Sequence, residues 1–107
     1  APASLFLDRI QHAITESEKL QIKYQSREAE QITERIIQPH AVYFSGAVWT
    51  TIAFCELRQE IREFRLDRIK ELNILQTHFK PDKSFSIEHY LEERSKRLFS
   101  TPDTGLS

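Results

Sequence analysis

The chain has 107 residues, 39% of them hydrophobic and 29% charged, with 15 Lys plus Arg against 16 Asp plus Glu and a net charge of -1. This balance excludes a disordered acidic or basic tail and withholds the overall positive field of a dedicated duplex-DNA binder, so any nucleic-acid contact must come from a local cluster. A chain of this length buries roughly two thirds of the surface its unfolded form exposes, enough for one core, and a single domain is expected over residues 1–99.

The chain opens on Ala1 rather than Met, as a fragment or processed product would. Ser4 is an N-cap candidate ahead of Leu5, Phe6, Ile10, Ala13 and Ile14, which share a face at helical spacing, and the pattern predicts a helix from about residue 4 to about residue 18. The period then shifts to alternation at Ile22, Lys23 and Tyr24. A polar run from Gln25 to Glu30 separates these from Ile32, Ile36 and Ile37, as in a two-stranded hairpin. Pro39 has no amide hydrogen and belongs at a strand edge, a bulge or a break. Val42, Tyr43 and Phe44 lead into the clearest turn, Ser45-Gly46, and Val48 to Phe54 is rich in the β-branched and aromatic residues of strands.

The longest apolar stretch, Ala47 to Cys55, is interrupted by Thr50 and Thr51 and falls short of the about 20 residues of a membrane span. No secretory signal is present, so a soluble protein with no membrane partner is expected. Cys55 is the only cysteine. Its apolar neighbours mark a reduced, buried thiol in a cytoplasmic protein.

Glu56 to Phe79 reads two ways. Leu57, Ile61, Phe64, Ile69 and Leu72 nearly fit a helical stripe uninterrupted by Gly or Pro, yet Phe64 and Leu66 alternate with Arg65 and Asp67 as strand residues do. The residues alone leave both open. Beyond Pro81 and Asp82 the chain restarts at Ser86, with Ile87, Tyr90, Leu91 and Leu98 on a second amphipathic helix. Residues 100–107, containing Pro102 and Gly105, read as a linker or cut end.

With only Gly46 and Gly105, neither a phosphate-cradling loop nor a dinucleotide fingerprint can be written. His12, His40, His78 and His89 are dispersed and a single Cys joins them, so no metal site is expected. Acid pairs such as Glu92 and Glu93 fall on charged helical stretches and read as solvated. No catalytic constellation survives, and the reading is of a non-enzyme without a cofactor.

Arginine is dense in one segment: Arg58, Arg62, Arg65 and Arg68, joined by Lys70 and interleaved with Glu56, Glu60, Glu63 and Asp67, five bases against four acids. On a helix these charges intermingle into a salt-bridged, solvated face. On a strand, Arg62, Phe64, Leu66 and Arg68 share a face without a carboxylate, and guanidinium forks beside Phe64, Trp49 or Tyr43 suit phosphates and stacked bases.

Tyr24, Arg35 with Pro39 four residues on, Tyr43, Gly46, Trp49, the small apolar run to Cys55, Arg62 and the block Phe64-Arg65-Leu66-Asp67-Arg68-Ile69 together resemble the WYL domain of bacterial helix-turn-helix transcriptional regulators. Phe79, Pro81 and Tyr90 also match, so the resemblance spans roughly residues 5–91. It implies an α+β fold, a small Sm-like or SH3-like β-barrel of about five strands with an N-terminal and a C-terminal helix. The Arg62 segment is then a strand, with Ile69 to Leu72 beginning the turn into the next. The resemblance also implies a ligand-sensing domain. Its effector would be single-stranded nucleic acid or a nucleotide-like anion, its site Tyr24, Arg35, Tyr43, Trp49, Arg62, Phe64, Arg65 and Arg68, and its DNA-binding module an N-terminal one outside these residues. The family's Trp-Tyr-Leu triplet stands here as Trp49-Thr50-Thr51, so a stacking role does not carry over to position 50. The rival reading is a dimerisation module using the charged helix around Tyr90, with Leu91, Leu98 and Phe99, and forming a homodimer without its own ligand.

Overall fold

The computed structural model describes residues 3–26 and 31–99, with side chains over 5–26 and 31–97. The side chains of Ser4, Leu98 and Phe99, positions 27–30 and the segment 100–107 lie outside the described residues, and because α1 already includes Ala3, Ser4 falls within the first turn and not at the N-cap position expected of it.

Helix α1 (Ala3–Glu16) stops two residues before the sequence pattern does. Ser17 enters the left-handed region at φ 55°, its amide donates to the Ile14 carbonyl at 3.3 Å, and β1 (Glu18–Gln25) begins at once. β1 pairs antiparallel with β2 (Ile32–Ser45), as the alternation predicts. Pro39 sits inside β2 at a register shift against β3 (Val48–Cys55), a bulge that accommodates the missing donor. The β2–β3 turn places both Gly46 and Ala47 at positive φ, 61° and 63°, the geometry of a two-residue hairpin loop.

The ambiguous segment 56–79 folds as two strands and their turns, not as a helix. β4 (Glu60–Arg65) pairs with β3, and β5 (Ile69–His78) pairs with β1. Helix propensity loses because Phe64, Leu66, Ile69 and Leu72 become buried only when these segments join the sheet. The turn between them is a 3-10 turn at Leu66–Arg68, earlier than the Ile69–Leu72 position expected, and Ile69 already belongs to β5.

The sheet order is β4-β3-β2-β1-β5. Five strands and two helices agree with the expected α+β class, but the closed barrel does not form: β4 and β5 are the sheet's two edges, and no ladder joins them. Strong curl takes the place of closure. Tyr24 on β1 lies edge-on to Phe64 on β4, ring centroids 5.1 Å apart, although β3 and β2 separate those strands in the sheet. The Arg65 amide at the end of β4 donates to the Tyr24 hydroxyl at 3.1 Å, so a side chain takes the donor a further strand would have used.

The concave face holds the core, where Leu20, Ile22, Ile37, Cys55, Phe64 and Leu72 meet Phe6, Ile10 and Ala13 of α1. Helix α2 (Ile87–Phe99) starts where Ser86 predicts, with the Ser86 hydroxyl accepting from the His89 amide at 3.2 Å. Ahead of it, Phe79 and Phe85 pack their rings against His40 of β2. Burial lowers the His40 pKa, an effect partly offset by nearby Asp82. Leu91, which the rival reading places on a dimer surface, is half-buried within the chain. No helix among the described residues is long and apolar enough to cross a membrane.

Candidate anion-binding groove

A groove of about 670 Å³ runs beside β4 and is bounded by the end of β1, the β2–β3 hairpin tip and α2. Six arginines line it, Arg35, Arg58, Arg62, Arg65, Arg68 and Arg94, against one carboxylate, Glu63.

Arg35 lies deepest and is only 6% exposed. Its Nε donates to the Thr33 hydroxyl at 3.1 Å and its Nη1 contacts the Cys55 sulfur at 3.8 Å. The guanidinium carbon stands 6.0 Å from the Tyr24 ring centroid and 5.7 Å from that of Phe64, so two aromatic faces supply what compensation there is. No described carboxylate reaches it. A buried cation without a counter-ion is an expensive arrangement, several kcal/mol by general experience, and it leaves an uncancelled positive potential at the groove floor.

The remaining arginines differ in how far they are already committed. Arg62 pairs with Glu60 at 2.9 Å. Arg65 holds Asp67 through two bonds of 3.1 and 2.7 Å, and this keeps the Asp67 carboxyl below the ordinary carboxylate value. Arg58 and Arg68 have no ion pair among the described residues. Arg58 is carried on the β3–β4 turn, which Gln59 closes by donating its amide to the Cys55 carbonyl at 2.7 Å.

Glu63 is saturated. The Tyr43 hydroxyl donates to its Oε1, while Tyr90 at 3.1 Å and the Arg94 Nε at 3.0 Å share Oε2. Burial, reinforced by the bond to Glu63, pushes the Tyr43 phenol up to about 12. Burial and the Glu63 charge raise Tyr90 in the same way.

Of the eight residues expected at the site, Tyr24, Arg35, Tyr43, Arg62, Arg65 and Arg68 line the groove. Phe64 and Trp49 do not. Phe64 is 1% exposed and forms part of the floor beneath Arg35, with no face open to a ligand. Trp49 is half-buried against the core and tilted onto exposed Phe44 at 5.1 Å. Strand alternation explains both, because Phe64 pairs with Thr51 on the concave face and Trp49 shares that face with Thr51. Thr50, opposite in direction, does line the groove, so the position that carries an aromatic ring in the WYL triplet is here a small hydroxyl in the wall. The expected carboxylate-free arginine face gives way to a groove that also gathers Glu63 and Arg65, which alternate with buried Phe64 along β4 and so face the same way as Thr50, the partner of Arg65 on β3. Arg58 belonged to the visible arginine cluster. Arg94, far along the chain on α2, carried no such signal.

Residues 6–74 match the family model described as the WYL domain. The chain is similar to the DNA-binding transcriptional repressor CapW of Stenotrophomonas maltophilia, 37% identical over 60 residues, which are 56% of this chain and 20% of that protein. It is also similar to the CapW of Pseudomonas aeruginosa, 31% identical over 98 residues, 92% of this chain and 31% of that one. Among solved structures, the proteasome accessory factor B/C (PafBC) of Arthrobacter aurescens superposes with a TM-score of 0.68 at 28% identity, over 73% of this chain and 12% of that chain. The chain thus spans only a minor part of the length of these relatives.

Proposed function

The chain belongs to the WYL domain family, and on that premise we propose that its groove is the sensing site of a transcriptional regulator, taking single-stranded nucleic acid or a nucleotide-like anionic effector. The observation that carries this reading is Arg35, a buried guanidinium without a carboxylate, opening onto a groove where neither Arg58 nor Arg68 makes a close ion pair among the described residues, Arg68 adding only its field to the depression of the Asp67 carboxyl. Folding has already removed water from Arg35, so an arriving phosphate gains a desolvated partner without paying again for its dehydration. The volume also suits a ligand of this size, since small-molecule sites occupy roughly 300–1,000 Å³.

With Phe64 beneath the floor and Trp49 turned to the core, few ring faces are offered for stacking. Recognition therefore falls mainly on phosphates, and binding is steeply salt-dependent with little base preference. The groove has no catalytic assignment: its polar groups are guanidiniums, hydroxyls and a carboxylate tied by three donors. Contact with promoter DNA is assigned to segments of the regulator outside this domain, and the whole works in the cytoplasm, where its DNA is. The rival dimerisation reading gains nothing from the half-buried Leu91.

Fluorescence anisotropy with short single-stranded DNA and RNA oligomers at two salt concentrations tests the proposal, alongside Trp49 emission with mono- and dinucleotides. Salt-sensitive binding that Arg58→Ala and Arg68→Ala each weaken is the expected result. Affinity unchanged in both variants, or no binding at low salt, removes it.

A further inference from the structure

Helix α2 reaches the groove through one charged side chain. Arg94 stands among the lining residues and contacts Glu63 through Nε at 3.0 Å, while its side chain remains 44% exposed. A guanidinium is a planar fork with donors on three nitrogens, so engagement through Nε leaves donors for a second anion. Glu63 cannot serve as a ligand acceptor in the same way. Both its oxygens are taken by Tyr43, Tyr90 and Arg94, and its charge is largely satisfied within the protein. Helix α2 also lies beyond the residues 6–74 that match the family, so that match does not extend to Arg94.

We propose that Arg94 is an anion-contacting residue of the groove and that Glu63 is the positioning residue that presents it, so that ligand binding and the docking of α2 on the sheet are coupled. The proposal rests on the groove being the anion site assigned above.

The attachment of α2 is light, which gives the coupling its leverage. Tyr90 and Arg94 meet at Glu63, and the ring of Tyr90 lies 6.2 Å from that of Phe85, which in turn packs on His40. An anion bridging Arg94 to the sheet arginines adds a further link between helix and sheet. By linkage, a ligand that binds better when α2 is docked holds α2 docked, and a variant that undocks α2 weakens the ligand by the same factor.

The test uses a fluorescein-labelled oligothymidylate and four forms of the 107-residue chain: wild type, Arg94→Ala, Glu63→Gln and the double variant. Arg94→Ala is expected to weaken binding roughly ten-fold and to reduce the salt slope by about one phosphate contact. Glu63→Gln removes a negative charge from a basic groove, which on electrostatics alone tightens an anion. Under the proposal it weakens binding in the wild-type background and tightens it once Arg94 is absent, a reversal of sign that a merely structural role does not produce. Hydrogen exchange across α2 is expected to slow when the oligomer binds.

Tightening by Glu63→Gln in both backgrounds overturns the proposal, as does binding that leaves α2 exchange unchanged. Binding that Arg58→Ala or Arg68→Ala weakens and Arg94→Ala does not leaves the groove assignment standing and overturns the role of Arg94 alone. Wild-type protein that ignores the oligomer at low salt overturns both.

Discussion

Arg35 carries its charge into the protein with only neutral company: a hydroxyl, a thiol and two rings. Replacing a buried charge by an apolar side chain of similar length is often neutral or stabilising, by about 1–4 kcal/mol. Arg35→Met is therefore expected to unfold in urea at an unchanged or higher midpoint while losing roughly ten-fold or more in oligonucleotide affinity. A clear loss of stability instead assigns the guanidinium to the scaffold. Tyr43 gives a prediction at the alkaline end. Its phenol is raised from 10.0 to about 12, so the folded state favours the protonated form. The stability this confers is complete below pH 10 and is lost as pH rises through about 12. Thermal unfolding between those limits should fall more steeply for the wild type than for Tyr43→Phe, which has no such proton to lose.

At the scale of the element, the β2–β3 hairpin carries a misfit at one position. Gly46 accepts a positive φ readily, and a Cβ there meets nothing within 4 Å, whereas Ala47 holds φ 63° against its own side chain. Ala47→Gly is expected to stabilise the protein by roughly 0.5–1 kcal/mol, since an L-residue in the left-handed region costs about 1–2 kcal/mol and glycine gives part of that back as unfolded-state entropy. Gly46→Ala should do the reverse, and urea midpoints read both. This hairpin was legible because Ser45-Gly46 is local punctuation between two alternating runs. Residues 56–79 were not, because their Glu, Arg and Leu content favours a helix and only pairing with β3 and β1, distant in sequence, makes them strands. The same physics divides the candidate site. Tyr43 and the arginines of β4 and its turn carried signals in residue type and spacing, whereas Tyr24 and Arg35 entered only through the resemblance to the WYL domain. Which strand face is concave is a property of the assembled sheet, and it turned Phe64 and Trp49 inward. Arg94 enters only because Glu63 draws α2 onto β4, and no local pattern announces a contact between residues 31 apart.

The molecule as a whole is a sheet that curls without closing. The Tyr24 hydroxyl at the Arg65 amide is the polar link from β1 to β4 across the curl, beside the shorter span from Tyr43 on β2 to Glu63 on β4. Tyr24→Phe keeps the ring contact with Phe64 and removes the acceptor, so a loss of about 1–3 kcal/mol is expected for the donor left without a partner. It should appear in urea unfolding and as faster exchange of the Arg65 amide; an unchanged exchange rate means that water replaces the hydroxyl and the curl stands on packing alone. The open edge has another consequence. An unpaired strand edge invites a second copy to add to it, and natural sheets deter this with charge. β4 is such an edge, and Arg58, Arg62, Arg65 and Arg68 stand along it or at its ends. The residues proposed to draw an anion to the groove are thus also placed to deter two molecules from zipping together edge to edge. Stripping them to alanine removes both functions at once, and a polyanion that neutralises them lowers the same barrier to polymerisation. Lysine substitutions, which keep the repulsion and lose the fork, are the ones that separate recognition from solubility.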